Sequence, residues 1–295
     1  MATKKSFISK LISFVLTLFL IIFFIFVAGC GYINNAFGVD VFDSIACVYR
    51  LNIPVNETAL LKNAVTDKDM ENAKKATDLS ISNLIIYDET NGYSINEGPL
   101  SSFMQAEIKL TDKQVGAIAN TLINSQDNFL INAGETSINL KDFNVQVRQV
   151  EFSKITENSA NFNVILKLNV EKFKNDYLAV FPISLAKGFI PNDIYVSSTI
   201  KVTKTDDAFG YKTESVGLII NYLSEKQTED LLKLVNLALP VGNSSKFAKL
   251  VGDVFVNALI GNEENDGLSY RLKPLGAKTF AFTTDGTNNY YSIKI

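Results

Sequence analysis

Two Ser-x-x-Lys pairs, Ser184/Lys187 and Ser198/Lys201, set a hydroxyl at the spacing from which a lysine one helical turn away can activate it. Ser198 lies in the alternating run 194–202, where a spacing of three puts the two side chains on opposite faces of a strand. Ser184 sits between Pro182 and Pro191, and neither pair has the S-D-N or K-T-G companion of that chemistry, so both read as chance matches. Asn262-x-Glu264-x-Asp266-Gly267 imitates the front of a calcium loop. Its twelfth position, which must chelate with two oxygens, is Lys273, so a plain polar loop is expected and no metal. The acid pairs Asp206-Asp207 and Glu263-Glu264 fall in turns, where adjacent carboxylates are solvated. The 295 residues include no His and no Trp and only two Cys, which removes imidazole catalysis, His ligation and Ser-His or Cys-His arrangements. No Gly-rich phosphate loop occurs, and no cofactor is expected. An enzyme working through carboxylates alone would need two of them converging in a cleft.

The first cysteine, Cys30, closes an apolar run over 11–29, behind Lys4, Lys5 and Lys10. At about 1.5 Å per residue the run is roughly 28 Å long, the thickness of a bilayer core. Val27-Ala28-Gly29-Cys30-Gly31 resembles the lipobox of bacterial lipoprotein signals, which implies lipidation of Cys30. Two readings stand, a lipoprotein signal and an uncleaved transmembrane anchor. Under both, residues 1–10 stay on the cytoplasmic side and the rest of the chain lies outside. Without residues 1–30 the chain keeps 25 bases against 31 acids, a net charge of −6, and it carries no polybasic stripe. Nucleic acid is thereby excluded as a partner. The second cysteine, Cys47, is flanked by apolar residues and reads as a small buried hydrophobe, with no disulfide framework.

With 47% hydrophobic and 20% charged residues, the rest of the chain is long enough to bury a sizeable core. Phe37, Val41, Ile45, Val48 and Tyr49 recur at near-helical spacing, giving a helix at the membrane surface, an extension of the anchor, or a strand. Residues 58–78 read as a short exposed helix or stalk capped by Thr66 and Asp69, which places the juxtamembrane segment and stalk at 31–78 and the main domain at 79–295. Thr111-x-x-Gln114 and Ser224-x-x-Gln227 are capping boxes that open two amphipathic helices, the second stopped by Pro240. A third helix starts near Ser244 and ends at Gly261. Asn91-Gly92 and Asp285-Gly286 mark hairpin turns, and alternation over 144–152, 161–170, 194–202 and 215–222 gives strands with one buried and one wet face. The fold class expected is therefore α+β, an antiparallel sheet packed against amphipathic helices behind an amino-terminal anchor or signal helix.

The succession over 104–240, from the capped helix through Ile194-Tyr-Val-Ser-Ser-Thr-Ile-Lys-Val202 to Ile219-Ile-Asn-Tyr-Leu-Ser-Glu-Lys-Gln227, resembles membrane-anchored extracytoplasmic proteins of Gram-positive bacteria. More distantly it is similar to tubular lipid-binding (TULIP-like) domains. That resemblance implies a curved sheet around a helix and an apolar tube for acyl chains. The Pro-broken apolar segment 177–190 would then place Phe181, Ile183, Leu185, Phe189 and Ile190 near the mouth of a cavity, unless it is a core-capping helix. The expectation is a non-enzymatic protein tethered to membrane lipid by its amino terminus, with its main domain outside the cell membrane, binding a lipid or other apolar ligand. The alternative is a structural or protein-interaction module of the cell envelope without a ligand.

Overall fold

A computed structural model describes residues 30–32, 34–36, 38, 40–96, 98–125, 130–133, 136–176, 190–236, 244–263 and 267–295. In chain order the main elements are α1 (Val41–Leu51), α2 (Asp67–Asp78), β1 (Ile85–Asp88), β2 (Gly92–Ile95), β3 (Glu107–Thr111), α3 (Asp112–Ser125), β4 (Leu130–Ala133), β5 (Thr136–Asn139), β6 (Gln146–Ser153), β7 (Ser159–Asn169), β8 (Asp193–Lys204), β9 (Tyr211–Ile220), α4 (Glu225–Asn236), α5 (Ser244–Leu259), β10 (Thr279–Thr284) and β11 (Asn289–Lys294). Among the described residues all strand pairing is antiparallel. The sheets are β6-β7-β8-β9, β10-β11-β3, and the two-stranded β1-β2 and β4-β5. The fold is α+β, as the alternation and the capping boxes require.

Local chemistry sets the helix starts. The Thr111 amide donates to Gln114 Oε1 at 2.9 Å and the Gln114 amide to Thr111 Oγ1 at 3.5 Å. Ser224 and Gln227 repeat the exchange at 3.0 and 3.3 Å. Behind the first box Val115, Ile118, Ala119, Leu122 and Ile123 are all buried, and α3 packs on β6. The β1–β2 hairpin pairs Asp88 with Gly92, so its loop has three residues, and only Gly92 takes positive φ (73°). Asp88 Oδ1 accepts from the amides of Thr90 and Asn91 and holds that loop.

Six aromatic rings fill the space where the two larger sheets meet α5. Phe162 on β7 lies 4.9 Å from Phe152 on β6, 5.7 Å from Phe255 on α5 and 5.4 Å from Phe282 on β10, measured between ring centroids. Phe280 stacks 5.9 Å from Tyr291, whose hydroxyl shares a 2.5 Å hydrogen bond with Ser269 Oγ. Each ring is nearly or wholly buried, and full burial of one such side chain contributes about 1.5–3 kcal/mol. Burial also pushes the Tyr291 hydroxyl pKa upward. Asn289 Nδ2 donates to the Phe152 carbonyl at 2.8 Å and links the two sheets across this seam.

Three expectations are corrected. The helix over 67–78 is no exposed stalk: Met70 and Ala73 are in the main core, and α2 packs on α3. That core already includes Cys47 and Leu51, so the packed unit begins well before residue 79. As one of the expected alternatives, the segment around Val41–Leu51 forms a helix, with Cys47 and Leu51 inward towards α4 and Ile45 and Tyr49 exposed. The four-stranded sheet is not simply wet on its outer face. Residues 55–64 cross it as a strap, where Leu61 packs with Ile165 and Tyr195 to form a second small core. Gly116 on α3 makes room for Val65, the residue just after the strap, because a Cβ there would stand 2.6 Å from Val65 Cγ2. Cys47 is a buried free thiol, its pKa raised by desolvation. Among the described residues no helix is long and apolar enough to cross a membrane, and residues 1–29 lie outside them.

Candidate binding groove and a charged clamp

The strap and α3 protect the free edge of β6, and a groove opens where they do so. Register shifts at Arg148 break the β6 ladder, leaving backbone groups to be satisfied from outside the sheet. The Arg148 carbonyl accepts from the Val65 amide at 2.8 Å, and Gln149 Oε1 accepts from the Asn63 amide at 3.0 Å. Asn120 Oδ1 accepts from the Val147 amide at 2.8 Å, and Asn124 Nδ2 donates to the Val145 carbonyl at 3.1 Å. Beside these contacts lies a cleft of about 920 Å³. Its walls are Met70 and Glu71 of α2 and Asn120, Thr121 and Asn124 of α3. Its floor is Asn144, Gln146 and Val147, and its lip is the Tyr87–Tyr93 ring pair of the hairpin, 4.8 Å between centroids.

This groove presents amides, hydroxyls, two phenol rings and the charged side chains of Asp67, Lys68, Glu71 and Arg148, which suit a polar, hydrogen-bonding ligand. Its carboxylates are Asp67 and Glu71, both on α2. The Glu71 carboxylate is tied to Lys75 Nζ at 2.5 Å, and that contact lowers its pKa. Burial raises the Asp112 carboxyl pKa at the first turn of α3, but Asp112 does not line the groove.

A second polar constellation lies under the strap. Glu57 accepts from the Tyr195 hydroxyl, meets Arg148 Nη2 at 2.9 Å and Lys167 Nζ at 3.8 Å. Lys167 in turn pairs with Asp193 at 3.1 Å. The Tyr195 hydroxyl, first, and the Arg148 and Lys167 charges hold the Glu57 carboxyl below its ordinary range. Burial, then Glu57, pushes the Tyr195 hydroxyl above its own. A carboxyl whose pKa is lowered beside a phenol whose pKa is raised is a poor pairing for proton transfer near neutrality, because the two shifts move the groups apart. The constellation is suited to clamping the strap to the sheet.

Of the residues singled out by sequence, Phe181, Ile183, Leu185 and Phe189, with Ser184 and Lys187, lie outside the described residues. Ile190 packs half-buried against the main core, and its carbonyl accepts from Lys174 Nζ at 2.6 Å. Cys30 is a buried free thiol. Ser198 is buried and faces the core, while Lys201 meets Glu214 at 3.5 Å, so β8 separates that pair as the strand spacing requires. Asp206 and Asp207 lie exposed in a turn. Lys273 Nζ stands 4.9 Å over the Tyr270 ring, away from any ligand role, and among the described residues no cluster of three His, Cys, Asp or Glu forms that could hold a metal ion. The groove residues carried no local signal beyond the tyrosines flanking Asn91-Gly92. No protein-family model matches the chain, and no curated protein and no solved structure matches it either.

Proposed function

We propose that this chain is a membrane-tethered, non-enzymatic binding module of the cell envelope, and that it recognises a polar partner in the groove between α2 and α3. The reading of a tether comes from the apolar run 11–29 behind three lysines, with Cys30 as the point of lipid attachment and the folded part on the extracytoplasmic side. The observation that carries the rest is the aromatic packing among the described residues. An acyl-chain tube needs open apolar volume between sheet and helix, and there Phe152, Phe162, Phe255, Phe280, Phe282 and Tyr291 are in ring contact. The interaction module is thus favoured over the lipid carrier.

Two measurements test the proposal. Fragment 40–295 keeps every residue of the main core cluster. Carrying Tyr87→Ala with Gln146→Ala, it is expected to bind purified cell walls about tenfold more weakly in cosedimentation, the size of one or two lost hydrogen bonds and a ring contact. Equal binding by parent and variant removes the groove from the account. For the tether, Cys30→Ala in the full chain should leave the unprocessed mass in the membrane fraction. A mass matching that of the parent, apart from the substitution, contradicts lipidation at Cys30.

A further inference from the structure

Helix α1 is apolar on two sides. Cys47 and Leu51 face α4, and around the helix from them Ile45, Ala46 and Tyr49 are exposed, with Ile53 just past the end. At 3.6 residues per turn, positions 45, 46 and 49 fall within an arc of roughly 100°. Ile45 is 51% exposed and Tyr49 68%, which is unusual for consecutive members of one apolar stripe on a water-facing helix. Charge is confined to one flank, at Asp43 and Arg50, and Asp40 caps the start by accepting from the Asp43 amide at 3.0 Å.

We infer that this outer face of α1 lies in the headgroup region of the bilayer that the apolar run enters, so that the domain is oriented on the membrane and not merely leashed to it. The inference rests on the tethered reading and adds a surface and a lipid partner to it. Three observations choose lipid as the occupant. The run 11–29 ends twelve residues before Val41, and even a fully extended link of that length reaches only about 40 Å. Tyr49 and the 70%-exposed Tyr32 are side chains whose apolar ring and polar tip suit the interface. The face of a three-turn helix also falls far short of the ~800 Å² per partner that a stable second copy would cover.

The native chain has no Trp, so one introduced indole reports alone. The full chain carrying Tyr49→Trp, reconstituted in vesicles of phosphatidylcholine and phosphatidylglycerol, is expected to emit to the blue of the exposed control Tyr87→Trp. Brominated acyl chains should remove most of its emission and leave the control unchanged. Ile45→Trp serves as the second probe should Tyr49→Trp lose the parent's circular dichroism. A chain that floats with the vesicles and keeps an unquenched indole, whether red or blue in emission, contradicts the docking alone. A chain that does not float contradicts the tether and the docking together.

Discussion

Replacing Phe162 by alanine is expected to cost about 4 kcal/mol of folding stability, a large share of the roughly 5–15 kcal/mol that holds an ordinary domain together. Phe162 is wholly buried and touches rings from β6, α5 and β10, so its removal opens a void bounded by both larger sheets and a helix. Those neighbours are themselves fixed, Phe152 and Phe282 by strand pairing and Phe255 within α5, and they cannot collapse far into the gap. The check is the urea midpoint of fragment 40–295 followed by circular dichroism. Val216→Ala serves as a surface control, since Val216 is the exposed extra residue where β9 bulges against β8. That control should stay within about 0.5 kcal/mol. A Phe162→Ala loss below about 1 kcal/mol means that the seam is not packed as described.

Glu57→Gln is expected to loosen the strap and to change how stability depends on pH. Glu57 accepts from Tyr195 and Arg148, and its loss leaves Arg148, whose buried Nε has no partner, facing Lys167 across the sheet surface. Charged hydrogen bonds of this kind contribute about 1.5–3 kcal/mol when dry. The side chains of Glu57 and Arg148 are 39% and 29% exposed, so solvent screening reduces the expected loss near neutrality to about 1–2 kcal/mol. The folded-state carboxyl is depressed below the ordinary value of 4.5, chiefly by the Tyr195 hydroxyl. Its stabilisation is therefore complete above that value and is lost as pH falls through the depressed folded-state value. The stability gap between parent and variant should narrow on acidification below about 4.5. A gap that stays constant down to strong acid contradicts the ionic clamp.

What was legible in the sequence was what neighbours in the chain decide. The Thr111/Gln114 and Ser224/Gln227 boxes, the Gly turns at 92 and 286 and the alternation of β6 to β9 are local, and each produced the element it implied. Faces were less legible, because a partner selects them. Helix α1 formed, yet its neighbour α4 drew in Cys47 and Leu51 and left Ile45 and Tyr49 outside. In α2 the inward residues Met70 and Ala73 are few among lysines and acids, so α3 supplies a contact that composition conceals. The groove was not legible at all. It joins side chains from Val65 to Arg148 that meet only because the strap closes the β6 edge, and no short motif spans that distance.

We propose that the interior formed by the described residues is packed by its own side chains and holds no acyl chain. That proposal is tested most directly by the native mass of fragment 40–295 purified without detergent, then incubated with envelope lipids and extracted. The account predicts the bare polypeptide mass before and after incubation, with no acyl chains in the extract. A stoichiometric acyl-chain adduct that survives purification would contradict it and return the lipid-carrier reading, with the apolar segment at 177–190 as its mouth.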